Sequence, residues 1–308
     1  MGLYILRRLY QSVLVIIGVT LLVFLLLRLT GDPVELFLPP GASEEMLQSY
    51  REDLGLNDPF FVQYAHFLKG AVTGDFGNSY YYNEPAMKLV LERLPATMEL
   101  TAASVFITVL LGGPAGILAA LFHNRTPDYI VRLLALLGQC LPLFWVGIVL
   151  MIVFAVKLHL LPTSGRGSVE HLILPAFALS LHSAATTARL LRSSMLETLN
   201  KEYILVARAR GLGRGKIVLK HALKNALSAV ITMLGMNIAG LLGGAVITET
   251  VFAWPGVGRL AIQAINNRDF TVVEAVVIMM AASYVLINLL VDICYALLNP
   301  KIKYGNGG

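Results

Sequence analysis

Long apolar runs separated by short charged segments dominate the pattern of this chain. A membrane-spanning helix needs roughly 20 mostly apolar residues, and six runs reach that length. They predict spans at about 4–29, 96–122, 130–156, 172–191, 226–248 and 272–298. The pattern therefore predicts an all-α fold, a polytopic membrane protein with six transmembrane helices. The first run ends in Leu25-Leu-Leu-Arg-Leu29 rather than in a small-residue cleavage site, which favours a retained helix over a signal peptide.

Composition supports a membrane protein. The 308 residues are 56% hydrophobic and 14% charged, with a mean hydropathy of +0.71. Soluble domains are about 45–50% apolar and about 25% charged. The net charge of +5 could suggest a nucleic-acid partner, but the basic residues flank apolar runs. We therefore assign them to membrane orientation and expect no nucleic acid.

The distribution of Lys and Arg predicts the orientation. Fifteen lie in the N-terminal residues and in segments 123–132, 189–224 and 299–308. Segment 31–95 holds four basic and ten acidic residues. Because positive side chains concentrate on the inner side of a membrane, both termini are predicted to be cytoplasmic.

This orientation divides the chain into regions. Residues 1–30 form the N-terminal segment and first span, and 31–95 an extracytoplasmic region. Residues 96–298 form a five-helix core with a cytoplasmic loop at 192–225, and 299–308 a cytoplasmic tail. The outer region is too long for a simple connector. It predicts helices near 43–54, with Ser43 as cap, and 59–72. It could serve as a cap on its own helices, as a docking surface for an outer partner, or as both.

Motifs for catalysis and cofactor binding are missing from the sequence. Gly211-Leu-Gly-Arg-Gly-Lys216 lacks the glycine spacing and the hydroxyl of a phosphate-binding loop. We predict no catalytic residue, no metal site and no cofactor on this chain. Asp292 and Glu99 lie near span ends, where a structural role is favoured over an ion relay. Cys140 and Cys294 are interpreted as packing residues.

Two glycine pairs at four-residue spacing, Gly112 with Gly116 and Gly240 with Gly244, allow close helix approach. We favour packing within the chain over contacts with a second subunit.

Candidates for a transport pathway rest on position alone. Met233, Met236 and Asn237 on the fifth span could line it, although core packing is favoured for the two methionines. Trp254, Pro255 and Gly256 could line its outer mouth. For Trp254 an interfacial anchor is the favoured role, and lining the outer mouth is the alternative.

The most informative segment is the basic, small-residue stretch 201–213 between two apolar runs. If it is helical, Ile204, Ala207 and Gly211 share a face, with Arg208 at its edge. A face this small can enter a groove on another protein. The alternative is a linker lying on anionic lipid, which explains the charges but not the small residues.

This segment resembles the cytoplasmic coupling loop of ABC importer permeases of the dipeptide, oligopeptide and nickel family. The resemblance rests on Ala207-Arg-Ala209-Arg-Gly211 and His221-Ala-Leu-Lys-Asn225-Ala226. Further matching motifs occur in order along nearly the whole chain: Gly31-Asp32-Pro33, Gly74-Asp-Phe-Gly77, Leu94-Pro-Ala-Thr97, Phe252-Ala-Trp-Pro-Gly-Val-Gly258 and Asn299-Pro-Lys-Ile302. One departure is Ala229, where the family pattern usually has Pro.

The resemblance implies a type I-like permease in the bacterial cytoplasmic (inner) membrane. Its implied partners are a second homologous permease, two cytoplasmic ATPase subunits that carry ATP and Mg, and an extracytoplasmic binding protein. Glu202, Ala207, Arg208, Ala209 and Gly211 are then the expected ATPase contact. Short peptides are the favoured substrate, with nickel or a metal chelate as the alternative. An ion-coupled carrier or channel without ATPases is the rival class.

Overall fold

The computed structural model describes residues 2–29, 43–53 and 57–298. These residues form α-helices joined by short loops, and no strand occurs among them beyond a single bridge between Asn78 and Pro85. The α-helices of eight residues or more are α1 (Gly2–Leu29), α2 (Glu44–Asp53), α3 (Phe60–Thr73), α4 (Ala86–Leu121), α5 (Thr126–Cys140), α6 (Leu143–Leu150), α7 (Val169–Leu199), α8 (Glu202–Ala209), α9 (Leu223–Val251), α10 (Val257–Asn266) and α11 (Phe270–Leu298). A π-helical segment, Met151–Lys157, continues α6, and a helical turn at Arg214–Lys216 with a π-helical segment at Ile217–Ala222 leads into α9. The predicted tail at 299–308 and the Gly31-Asp32-Pro33 motif lie outside the described residues, as do the side chains of Gly244, Asp292 and Cys294.

The all-helical prediction is confirmed, whereas the count of six spans is not. Among the described residues, three helices are long and apolar enough to cross a membrane: 86–121, 214–243 and 270–291. A fourth is possible if α5 and the helix at 143–157 form one broken span, since they meet at a bend of 107°. The predicted span at 130–156 therefore corresponds to two helices that meet at a bend rather than to one straight helix. Pro142, which precedes α6, interrupts the span.

Helix α4 differs from its predicted span in its bounds, and helix α7 differs from its predicted span in its composition. Helix α4 begins at Ala86 rather than Ala96, because residues 86–90 already pack into a core. Helix α7 contains the predicted span 172–191 but is less apolar than the others. Its Ser180, Ser183 and Thr187 are buried inside the protein, so its polar residues serve helix packing.

The described residues fall into two compact units. The first comprises residues 1–97 and 255–286, and its main core joins the start of α4 to α10 and the start of α11. Buried Asp269 accepts hydrogen bonds from the Ser79 hydroxyl and, at 3.3 Å, from the N–H of Val272, which caps α11.

An aromatic cluster packs α3 onto α1 in the same unit. Phe24 contacts Phe60, Tyr64 and Phe67, with ring centroids 5.4–5.5 Å apart. Two predictions for the outer region hold. Helix α3 lies within one residue of its predicted bounds, and the Ser43 hydroxyl accepts the N–H of Met46 at 3.3 Å as a cap.

The second unit comprises residues 98–254 and 287–308, and α7 is its central helix. A Cβ at Gly116 would lie 2.8 Å from the Ala188 carbonyl oxygen and 2.9 Å from Cβ of Leu191. Gly112 makes the same approach to Ala184 and Thr187. Packing within the chain is thus confirmed for this glycine pair. A Cβ at Gly240 would meet no atom within 4 Å.

We expect Gly116→Ala to lower the melting temperature of the protein, because an added methyl would force α4 away from α7. Overpacking of this kind costs about 1–3 kcal/mol. Gly113→Ala is the matched control on the same helix, since a Cβ there meets nothing within 4 Å. Thermal unfolding of both variants in one detergent provides the comparison, and equal melting temperatures would contradict this packing.

Candidate coupling segment

Helix α8, the core of the segment singled out by sequence, begins after Lys201 and carries Glu202 in its first turn and Arg208 in its last. Both charges oppose the partial charge at their helix end. The helix ends in a Schellman motif: the N–H of Leu212 donates to the Ala207 carbonyl at 3.2 Å, and that of Gly211 donates to the Arg208 carbonyl at 2.9 Å. Gly211 has a φ of +76°, the left-handed conformation that this motif requires.

One face of α8 is buried inside its own chain. Ile204, Ala207 and Ile217 form a small core, with Leu199 and Leu212 packed against it. Ile204 and Ala207 of the predicted docking face are therefore turned toward their own chain, whereas Gly211 is exposed. Ile204 and Ala207 hold α8 to the end of α7 and to the helical residues that precede α9, and Ala207 has only 9% of its surface exposed.

The opposite face of α8 is exposed and partly apolar. Leu205 and Val206 are each more than half exposed, and Arg208 and Ala209 are exposed beside them. The sequence analysis missed Leu205 and Val206. Two large apolar residues in a basic loop could have indicated this exposed face. A helix that buries Ile204 must turn the next residue outward.

Polar contacts attach the segment at its ends. The Asn225 amide donates to the Tyr203 hydroxyl at 2.8 Å and to the His221 carbonyl at 2.9 Å, joining α8 to α9. The Arg214 guanidinium donates to the Leu121 carbonyl at 3.2 Å, at the end of α4. Between these contacts lies a cleft of about 620 Å³ lined by residues of α4, α7 and α8, including Arg208.

A buried ion pair fixes the helix that leads into the segment. Arg192 of α7 donates from Nε and Nη2 to the two oxygens of Asp128 at 2.6 and 2.8 Å, and the N–H of Asn124 adds a bond at 3.0 Å. The Asp128 side chain is fully buried. Two parallel charge-assisted bonds set the orientation as well as the distance of their partners, so α5 and α7 are held together here. The sequence analysis did not single out Asp128.

The candidate pathway residues are only partly brought together. Met236 and Asn237 line a cavity of about 340 Å³ that also contacts His182 and Ser183 of α7, but Met233 is not among its lining residues. His182 and Ser183 were not predicted. The cavity combines apolar walls with an amide, an imidazole and a hydroxyl, so it can contact both apolar and hydrogen-bonding groups.

The outer-mouth prediction fails for Trp254. Its side chain is fully buried, so it is neither an exposed anchor nor a lining residue. The Arg166 guanidinium lies 5.9 Å from the ring centroid and also pairs with Glu99 at 2.6 Å. Cys140, expected to pack, is exposed. Pro255 and Gly256 line a small polar cleft in the first unit.

Comparison with known proteins gives similarity over the whole chain. Residues 112–304 match the profile of the family described as binding-protein-dependent transport system inner membrane component, and residues 1–101 match the N-terminal profile of such components. The chain is 39% identical to the dipeptide transport system permease protein DppB of Alkalihalophilus pseudofirmus, over 98% of this chain and 99% of that protein. It is also 39% identical to the glutathione transport system permease protein GsiC of Escherichia coli strain K12, over 98% and 99% of the two chains.

Solved structures give the same fold at lower identity. An inward-facing methionine ABC transporter aligns with 69% of this chain and 97% of its own, with a TM-score of 0.58 and 20% identity. An amino acid ABC transporter crystallised with histidines aligns with 70% and 94%, with a TM-score of 0.54 and 18% identity.

We expect Gly211→Ala to loosen the end of α8, because a side chain in the left-handed conformation costs about 1–2 kcal/mol. No atom lies within 4 Å of the added Cβ, so the cost comes from the backbone alone. Gly213→Ala is the control: this position also has open space, but its φ is −61°. Faster hydrogen exchange of residues 202–212 in the first variant only is the expected result. Equal exchange in both variants would contradict it.

Proposed function

Because the chain belongs to the family of binding-protein-dependent transport system inner membrane components, we propose that it forms one half of the substrate pathway of an ATP-driven importer for short peptides. The observation that carries the substrate class is the 39% identity, over nearly the full length of both chains, to relatives named as peptide and glutathione permeases. The chain is a permease subunit and not an enzyme. In this proposal ATP and Mg are bound by separate ATPase subunits.

The proposed assembly has four kinds of component. Two homologous permeases enclose the pathway, two ATPases attach on the cytoplasmic side, and a binding protein delivers substrate from outside. Both termini of this chain lie in the cytoplasm of a bacterium, residues 31–95 lie outside the inner membrane, and residues 96–298 contain the core and its loop at 192–225. The excess of Lys and Arg in the inner segments supports this orientation.

Helix α8 is the proposed contact with an ATPase subunit. Its exposed face offers Leu205, Val206 and Ala209 as an apolar patch, with Glu202, Arg208 and Gly211 around it. Ala207 supports this contact from beneath, since it packs on Ile217. A helix with one buried face and an exposed apolar patch on the other can dock into a groove of a partner protein.

Inside the second unit, Met236 and Asn237 with His182 are the proposed pathway contacts, because they line one cavity. An amide and an imidazole can hydrogen-bond the groups of a peptide backbone. Nickel is the alternative substrate, because the imidazole of His182 and the thioether of Met236 are groups that can bind a metal ion.

The function is tested by reconstitution. We expect uptake of short peptides into vesicles that contain this chain, its second permease and the ATPases, with the binding protein outside and ATP inside. Vesicles with this chain alone should show no uptake, and uptake by the chain alone would favour an ion-coupled carrier. Titration of the binding protein with peptides and with Ni²⁺ or its chelates decides the substrate, and tight binding of nickel without peptide binding would overturn the peptide proposal.

We expect Leu205→Glu to reduce peptide uptake at least tenfold, because a charge would enter an apolar contact with the ATPase. ATP hydrolysis should then no longer respond to the loaded binding protein. Leu205→Met keeps the apolar character and is the matched control. Since Leu205 is exposed, neither variant should alter the melting temperature. Normal uptake by Leu205→Glu at equal expression would count against the assigned contact.

A further inference from the structure

The cavity that contains Met236 and Asn237 lies entirely within the second unit, between the turn from α5 to α6, α7 and α9. Its volume is about 340 Å³. That value lies at the lower end of the roughly 300–1,000 Å³ found for small-molecule sites in proteins. The cavity therefore has room for one large side chain and the backbone atoms that carry it, and not for a long peptide.

The lining of this cavity is mostly apolar. Its polar groups are the imidazole of His182, the hydroxyl of Ser183 and the amide of Asn237. Asp, Glu, Lys and Arg do not occur among the lining residues that the structure describes. An ionised group that entered this space would lose hydration and gain no opposite charge, whereas an apolar group gains by leaving water. The aliphatic walls consist of six leucine and valine residues: Leu141, Leu143, Val146, Leu179, Leu181 and Leu241.

The core of the second unit holds these walls in place. Val146 and Ala178 belong to one buried cluster, and Leu141, Leu143 and Leu181 pack against it. Protein interiors of this kind are close-packed, so their side chains do not move aside freely. A cavity with fixed walls discriminates by size, because a group that is too large must displace packed neighbours.

Two glycines line the cavity, and they differ in what surrounds them. A Cβ at Gly138 would lie 3.2 Å from Cβ of Ala185, so Gly138 allows α5 to approach α7. A Cβ at Gly240 would meet no atom within 4 Å in the part of the chain that the structure describes. Gly240 lies inside α9, where glycine is destabilising relative to alanine. Helix packing within the described chain therefore does not explain Gly240, whose missing side chain leaves space at the cavity wall.

From this arrangement we infer that the cavity receives one uncharged, apolar side chain of the transported peptide, and that Gly240 sets the largest side chain that is admitted. The inference rests on the proposed function and adds a specificity-determining residue to it. The aliphatic walls contact the peptide side chain, while His182 and Asn237 hydrogen-bond the peptide backbone. A side chain at position 240 would occupy space that the peptide side chain needs.

The test compares two dipeptides of different size in the complete importer reconstituted in vesicles. Ala-Ala has small side chains and Ala-Phe has one large apolar side chain, and the binding protein is saturated with each peptide in turn. We expect Gly240→Leu to reduce the uptake of Ala-Phe at least tenfold more than the uptake of Ala-Ala. Gly240→Ala, which adds only one methyl group in open space, should shift the same ratio in the same direction by a smaller factor. Because the binding protein is identical in every sample, a changed ratio arises in the membrane subunits.

Gly243→Leu is the matched control on the same helix. A Cβ at Gly243 also meets no atom within 4 Å, but Gly243 is not among the residues that line the cavity. This variant should leave the uptake ratio unchanged. Co-purification of the second permease is measured for every variant, because a helix with exposed glycines can also pack against another subunit.

A second comparison tests the preference for an uncharged side chain. Ala-Leu and Ala-Glu differ mainly in charge, and Met236 is an exposed residue of the cavity lining. Met236→Lys places a cation in the cavity that can pair with a carboxylate. We expect this variant to raise the uptake of Ala-Glu relative to Ala-Leu at least threefold over the wild-type ratio.

Four results would overturn the inference. They are an equal loss of both peptides in Gly240→Leu, the same ratio shift in Gly243→Leu, loss of the second permease from the Gly240 variants, and an unchanged ratio in Met236→Lys. Wild-type vesicles that take up no peptide would instead overturn the proposed function. Wild-type uptake with unshifted ratios in the variants would leave the proposed function intact and remove only the role of Gly240 and its cavity.

Discussion

The structure of the candidate coupling segment, residues 201–213, depends on the burial of one face of α8. Ile204 is completely buried, and with Ala207 it packs on Ile217. Burying one such aliphatic side chain stabilises a protein by about 1.5–3 kcal/mol, which is large for a helix of only eight residues. Without this contact an isolated helix of that length is not stable in water. The same contact decides which residues remain available to a partner.

In the proposed importer this arrangement links α8 to the rest of the second unit. Its buried face lies against the end of α7 and the residues that precede α9, and Asn225 ties Tyr203 to the same region. Asp128 and Arg192 then hold α7 to α5. In this proposal a displacement of α8 would pass to α7 and α9, which carry lining residues of the Met236 and Asn237 cavity. Packed side chains and buried ion pairs can transmit such a displacement because they resist continuous deformation.

Sequence reasoning predicted the helices well where a local rule applied. Ser43 caps α2, and Gly112 and Gly116 let α4 approach α7. It failed where tertiary packing decided the outcome. The small residue Ala207 marks a close contact, but the spacing of residues cannot tell whether the contact is with a partner or with Ile217 of the same chain. Trp254 looked interfacial because aromatic residues favour membrane boundaries, yet it is buried beneath Arg166.

Two arrangements of the described residues were not predictable from spacing. Arg93 and Arg259 are far apart in sequence and line one cleft because α4 and α10 share a core. His182 joins Asn237 for the same kind of reason. Long-range contacts of this type leave no periodic signal in a single sequence.

The central claim is that α8 presents Leu205, Val206 and Ala209 to an ATPase while Ala207 stays within its own chain. The most direct measurement is the labelling rate of single cysteines at positions 205, 206, 207 and 209 in a cysteine-free background, with and without the ATPase subunits. The account predicts rapid labelling at 205, 206 and 209 that is blocked when the ATPases bind, and slow labelling at 207 in both states. Rapid labelling at 207, or labelling at 205 that is unaffected by the ATPases, would contradict it.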